Sequence, residues 1–333
     1  MGLRKTKGTN SFLGLMGDVM IGRLVNRYLS HAPPNYLWGD VLPILKETDI
    51  NLINLETSLT SSTEAVPKVF NFKAYPENVR SLTEGHIDVV NLANNHILDF
   101  SAAGLRETIL TLDTAGIYHV GAGENAEQAK RPAILTCNDI RIGILGCTDN
   151  EPSWKSTPSS EGTRFIDITT IDPLKEDIQR LREQVDIVIL SIHWGPNMKE
   201  QPSANFIRFA HQAIDSGVDI IHGHSAHIFQ GVEIYQGKLI LYDTGDFVDD
   251  YAVDPLLRND RSFLFLVEAG KEGVVALYLI PVLIGDFQVN LSSGKEFLET
   301  GQRMQRLSQE FHTTFAFRHE PFPHLFLRIG TSG

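Results

Sequence analysis

Short runs rich in Val, Ile and Leu recur along this chain, and through its first two-thirds helical patterns separate them. This alternation constrains the fold most, because strands joined by helices lie parallel and bury both faces of their sheet. The periodicity predicts strands near 12–17, 50–55, 87–92, 117–121, 132–137, 140–147, 186–192, 218–222, 231–236, 238–243, 261–267 and 274–281. Helices are predicted over 21–30, 39–47, 76–84, 101–115, 124–130, 172–184, 203–216 and 294–311. After residue 230 strand follows strand, with Gln236-Gly237 as a turn signal, so the later pairing is expected to be antiparallel. The class is α/β.

With 333 residues, 42% of them hydrophobic, the chain can bury a substantial core. Residues 11–333 are expected to form one domain, with 1–10 flexible and 285–333 peripheral. The Ser/Pro/Thr/Glu-rich segment 149–164 is expected to be a surface loop or lid. A net charge of −12, from 29 basic and 41 acidic side chains, argues against a surface built to hold nucleic acid. Cys137 and Cys147 are expected to be small core residues rather than a disulfide or zinc knuckle. No run approaches the ~18 apolar residues of a bilayer span, and the expected location is cytoplasmic.

The residues that close the apolar runs carry the chemistry. LGLMG ends in Asp18, INLINL in Glu56, VVNLA in Asn94-Asn95-His96, VILSI in His193 and DIIHG in His224, with His227 three positions on. In open α/β sheets ligands bind outside the carboxyl ends of the strands, so these residues are expected to converge. Imidazoles mixed with carboxylates and an amide oxygen suit Mn, Fe, Zn or Co better than Mg or Ca. Two such ions, roughly 3.5–4 Å apart, can hold a hydroxide between them and stabilise charge on a phosphoryl group.

Each residue alone has a plainer explanation. Asp18 fits a turn or helix N-cap, Glu56 and Asn95 could satisfy local backbone donors, and His193 could be a hydrogen-bonded structural residue. The expectation therefore rests on coincidence at five strand ends, strengthened by the Gly-His-Ser-Ala-His run at 223–227. His222 reads as a packed core histidine, and His31, His86, His119, His211, His312, His319 and His324 as structural or surface residues. The acids Asp243, Asp246, Asp249 and Asp250 read as a solvated loop.

GDVMIGR (17–23), NLETSLT (54–60), FNFKAYPENV (70–79), NLANNHILDFSAAGL (91–105), SIHWGPN (191–197), GHSAHIFQGVE (223–233) and YDTGDFVDD (242–250) together resemble a known family. This is the bacterial capsule-synthesis CapA, or poly-γ-glutamate biosynthesis, branch of the calcineurin-like metallophosphoesterases. The resemblance implies a four-layer α/β/β/α sandwich of two mixed sheets, metallo-dependent phosphatase-like. It implies two divalent ions, with Asp18 and His227 on the first, Asn95, His193 and His224 on the second, and Glu56 bridging. It implies that His96 gives a proton to the leaving group. Three departures are visible: Met20 stands where the superfamily has a histidine, Glu56 where it has a bridging aspartate, and Thr-Gly-Asp-Phe at 244–247 where the branch often has Gly-Asn-Phe, which places Asp246 in or near the site with Asp243, Asp249 and Asp250.

Arg23 and Lys73 are the cations within the matching motifs, able to clamp a phosphate or carboxylate or simply to make surface salt bridges. The expected activity is metal-dependent hydrolysis, in which hydroxide attacks a phosphoester of an anionic small-molecule or polymer substrate. Attack on a γ-glutamyl or peptide amide, and a non-catalytic role in making or exporting an anionic polymer, are the alternatives.

Overall fold

The computed structural model describes residues 10–330; the predicted flexible N-terminus falls almost wholly outside the described residues. A ten-stranded mixed sheet runs Ala316–Arg318, His324–Arg328, Gly273–Gly285, Arg261–Gly270, Ser11–Val19, Ile50–Leu55, Val89–Asn91 and Tyr118–Val120. Asp246–Val248 also pairs with Ser11–Val19, and Gln288–Leu291 with Gly273–Gly285. A six-stranded mixed sheet runs Val232–Tyr235, Lys238–Leu241, Ile220–His224, Ile187–His193, Ile140–Thr148 and Ala133–Cys137.

Three separate apolar clusters define four layers. Successive side chains of a strand face opposite sides of its sheet. Thus Ile187 and Ile189 join Leu13, Leu15, Ile50 and Leu52 in a core between the sheets, whereas Val188, Leu190 and Ile192 point the other way. Those outward residues pack on Leu174, Ile178 and Leu181 of the helix Asp172–Arg182 and on Phe209 and Ala213 of Ala204–Asp215. On the far side, Met16, Ile53 and Val90 meet Leu105 and Leu112 of Ser101–Ala115 and Val25 of Arg23–Leu29. The layers are therefore α/β/β/α, as expected.

The strands that end in candidate ligands are parallel within each sheet. Ser11–Val19, Ile50–Leu55 and Val89–Asn91 run together, as do Ile140–Thr148, Ile187–His193 and Ile220–His224. Their carboxyl ends open on one edge of the sandwich. Beyond residue 230 the pairing is antiparallel apart from the parallel additions of Lys238–Leu241 and Asp246–Val248.

Three expectations need adjustment. The helix predicted over 39–47 shrinks to Leu42–Leu45 behind a 3-10 segment, because Gly39 adopts φ 41° and ψ −133°, which breaks helical bonding. Segment 285–333 supplies three strands of the large sheet, and its helix Gly294–Gln309 buries Phe297, Met304 and Leu307 in the inter-sheet core. The 149–164 loop is partly ordered by Gly162–Thr163, which pairs with Ala122–Gly123.

Candidate metal centre

Asp18 closes its strand where it pairs with Asn54 on one side and Asp246 on the other. This approach needs Gly17: a Cβ there would lie 1.7 Å from the Gly245 carbonyl oxygen, which instead accepts the Asp18 N–H at 2.9 Å. Glu56 follows the next strand, its N–H donating to Val19 at 3.1 Å. In the turn after Val89–Asn91, Asn94 accepts the His96 N–H at 3.0 Å and donates to Leu55 at 2.8 Å, which turns Asn95 and His96 toward the cleft. His193 and His224 are opposite one another in the six-stranded sheet.

His227 reaches the same place from a loop in which Ser225 and His227 have φ of 119° and 60°. Such left-handed geometry is costly for residues other than glycine and is held here by Asp243, which accepts the Ala226 and Gly245 N–H groups at 2.8 Å each. That a strained loop is pinned so as to deliver an imidazole is itself a mark of a functional site.

The donors gather in two overlapping sets, Asp18 with His193 and His224, and Asp18 with Glu56 and His227, the atoms of each set lying within 4.8 Å of one another. Asp18 is common to both sets. Glu56 Oε1 is 3.9 Å from His193 Nε2, which is itself 3.0 Å from Asn95 Oδ1. His193 Nδ1 and His224 Nδ1 face each other at 3.0 Å. His96 stands beside them, its Nε2 3.9 Å from Glu56 Oε1. All six predicted ligands and His96 are thus in one place.

Electrostatics favour cations here. Burial pushes Asp18 up to about 6 and Glu56 up to about 8, the latter helped by the charge of Asp18. Burial drives His193 and His224 well below the ordinary histidine value, leaving neutral rings with lone pairs to donate. Burial also opposes charge on His227, but Asp246, Glu56 and Asp18 outweigh it and lift its pKa well above normal. Asp18 Oδ2 and Glu56 Oε1 are buried without a hydrogen-bond partner among the described residues. Buried carboxylate oxygens are costly unless paired, and a divalent cation is the partner this mixed donor set fits.

Asp246 overturns the reading of the acidic run as a solvated loop. It is fully buried, and its Oδ1 lies 2.8 Å from His227 Nδ1. Asp243 and Asp249 are likewise buried, because parallel pairing of 246–248 with the first strand draws the run into the sandwich. His222 is a core residue as expected, contacting Ser191 Oγ at 3.1 Å and the Met16 carbonyl at 2.9 Å. Met20 is buried, and its sulfur accepts the Gly22 N–H at 3.1 Å.

Arg23 lines the cleft outside the metal donors, with Nε 3.5 Å from Asp250 Oδ1. Lys73 directs its ammonium to the Ser62 carbonyl and over the Phe100 ring, 4.8 Å from its centre. The cation that does line the cleft with Arg23 is Lys68, which sequence reasoning did not single out. Lys68 Nζ donates to Asp99 Oδ1 at 2.9 Å and to the Asn95 carbonyl. Also missed were Asp99, whose Oδ2 lies 2.6 Å from His96 Nδ1, and Tyr251, whose hydroxyl donates to Glu56 Oε2 at 3.2 Å. The i, i+3 spacing of His96 and Asp99 was an available signal for the first.

Residues 13–251 match the sequence profile of the family described as "Bacterial capsule synthesis protein PGA_cap". A "Probable polyglutamine synthesis accessory protein" of Mycobacterium tuberculosis is 32% identical over 349 residues, spanning 89% of this chain and 91% of that protein. The "Capsule biosynthesis protein CapA" of Bacillus anthracis is 29% identical over 279 residues, spanning 81% of this chain and 66% of its own. Among solved structures, a novel phosphatase from Mycoplasma pneumoniae superposes with a TM-score of 0.51 over 82% of this chain and 94% of that one. At 14% identity the likeness is one of fold, which is metallophosphatase-like.

Proposed function

The chain belongs to the bacterial capsule synthesis protein PGA_cap family, and on that premise we propose that it is a metal-dependent hydrolase of phosphoesters. One observation carries the reading: two donor sets that share Asp18 meet beside an imidazole, His96, with buried carboxylate oxygens left unpaired. Asp18, Glu56 and His227 would hold one cation, and His193, His224 and Asn95 the other, with Asp18 or Glu56 between them. Divalent cations bound there supply Lewis-acid charge compensation and acidify water.

His96 handles the proton. Burial holds the His96 pKa below the ordinary histidine value; Asp99, accepting from Nδ1, opposes that shift and fixes the ring, so Nε2 is the atom that delivers a proton to the departing oxygen. Phe72 stacks on the ring at 3.8 Å and keeps water from that face. The substrate is anionic, and Arg23 at the cleft wall assists its approach.

The test is elemental analysis of the purified protein together with turnover of a phosphomonoester and phosphodiester panel in Mn²⁺. Bound metal that is lost in His193→Ala, and turnover that is lost in His96→Ala, are the expected results. Metal without turnover on any phosphoester removes the phosphate chemistry.

A second reading, a non-catalytic accessory role in making or exporting an anionic polymer such as poly-γ-glutamate, is supported by the words "synthesis accessory protein" in one relative's name and by Met20 in place of an imidazole. It predicts that His96→Ala retains biological activity, and that among the relatives' polymers γ-linked glutamate binds the cleft. Release of free glutamate from that polymer would instead indicate amide hydrolysis. Among the described residues no helix is long and apolar enough to cross a membrane.

A further inference from the structure

Beside the donor sets lies a cavity of about 1060 Å³ whose floor is Asn95, His96 and His227. Its walls are largely apolar, built by Phe72, Met198, Tyr251 and the tip of the 61–72 loop. At that tip Val69 is 89% and Phe70 59% exposed, although both face the cavity. Large apolar side chains left open at the mouth of a polar centre mark a surface completed by a ligand. The Arg23 guanidinium lies 5.6 Å from the centres of both the Phe70 and Phe72 rings, which ties the tip to the wall.

The position of His96 says which end of a substrate enters this cavity. His96 faces the donors through Nε2 and also lines the cavity, so the oxygen it protonates belongs to the group that occupies the cavity. Of the lining cations, Lys68 is engaged by Asp99 and the Asn95 carbonyl, and Arg23 meets Asp250 through Nε at 3.5 Å. A leaving group bearing carboxylates would find the Lys68 ammonium already engaged and an otherwise largely apolar wall. An uncharged planar ring would instead cover Phe70 and extend the stack that Phe72 makes on His96, whose planes are 19° apart.

We infer that the cavity takes the leaving group of the substrate and that this group is an uncharged aromatic alcohol, which makes the substrate an aryl-type phosphoester. The inference rests on the phosphoester reading above. In the reaction the oxygen of water bonds to phosphorus and the bond to the aromatic oxygen breaks with its electron pair. His96 Nε2 supplies the proton to that oxygen and regains one from the attacking water, so one water is consumed.

The experiment is calorimetric titration of the Mn²⁺-loaded protein with two non-hydrolysable probes, phenylphosphonate and methylphosphonate, repeated on Phe70→Ala. Because Phe70 is exposed, that variant keeps its fold. Phenylphosphonate is expected to bind at least about tenfold more tightly, an advantage that the variant loses. Equal binding of the two probes, or an advantage unchanged in Phe70→Ala, overturns the inference and leaves the phosphoester reading standing. Binding of neither probe overturns both, and so does tighter binding of a γ-linked glutamate oligomer.

Discussion

Asp99 Oδ2 lies 2.6 Å from His96 Nδ1, and the same carboxylate accepts the Phe72 N–H at 2.7 Å and the Lys68 ammonium at 2.9 Å. One buried anion thus orients the imidazole, the ring stacked upon it and a cation of the cleft wall. Asp99→Asn keeps the volume but removes the charge that favours imidazolium. The expected result is a fall in kcat of about 10²–10⁴-fold, close to that of His96→Ala, with KM changing much less. The double variant should lose little more than either single one, because the two side chains act as a unit. Additive losses on a phosphoester substrate would show that they act separately.

Asp246 Oδ1 lies 2.8 Å from His227 Nδ1, the ring nitrogen that also stands 3.5 Å from Asp18 Oδ2, so this carboxylate borders the donor set directly. Such partners fix the ring and raise its basicity, and removing one typically weakens metal affinity about 10–100-fold. Asp246→Ala should therefore require that much more Mn²⁺ to fill its weaker position, read by metal titration with competition. His222→Ala, whose ring bonds to Ser191 and the Met16 carbonyl, should instead lower stability without a comparable loss at that position. An Asp246→Ala protein with unchanged metal affinity would remove the carboxylate from the site.

The buried carboxylates make the metal-free protein sensitive to alkali. Burial raises Asp18 to about 6, Asp249 to about 7, and Glu56 and Asp243 to about 8. Their unfolded values lie near 4, so the stability they contribute is complete below about pH 4 and is lost as pH rises through about 6 to 8. The positive charge kept on His227 by Asp246, Glu56 and Asp18 offsets part of this loss. Cations bind the deprotonated carboxylates, so the gain in Tm from Mn²⁺ over chelator should grow between about pH 5 and about pH 8. A gain that is flat across this range would mean that the cluster does not bind the ion.

The strand-end ligands were legible because the sequence pattern and the chemistry coincide there: Asp18, His193 and His224 each close a run whose period already identified a buried strand. His96 and Asn95 were legible from their motif. Asp246 was legible only in part: its motif sets it in or near the site, but its charge pattern reads as a solvated loop, because its burial follows from parallel pairing with Asp18, a partner remote in sequence that no local pattern announces. Lys68 lies in a loop without periodicity, and its role depends on where that loop folds back against Asp99. Lys73 shows the converse: it sits in a matching motif, yet the short strand Lys73–Ala74 aims its ammonium at Ser62. The fold was largely readable, and its layers follow from alternation within each strand, but the helix predicted over 39–47 gave way to the backbone of one glycine.

Gly17 tests whether close approach of two backbones sets the position of Asp18. A methyl group there would fall 1.7 Å from the Gly245 oxygen and 2.8 Å from its carbonyl carbon, both backbone atoms that no side-chain rotation can move aside. Gly17→Ala must therefore part the first strand from the 243–245 turn and break the bond from the Asp18 N–H to Gly245. The expected cost is roughly 1–3 kcal/mol of stability, measured by urea unfolding. Metal affinity should fall with it, because Asp18 belongs to both donor sets. Gly285→Ala, where a Cβ meets open space, is the control and should change neither quantity. A Gly17→Ala protein as stable as the parent, with full metal content, would show that the two backbones can separate without disturbing the site.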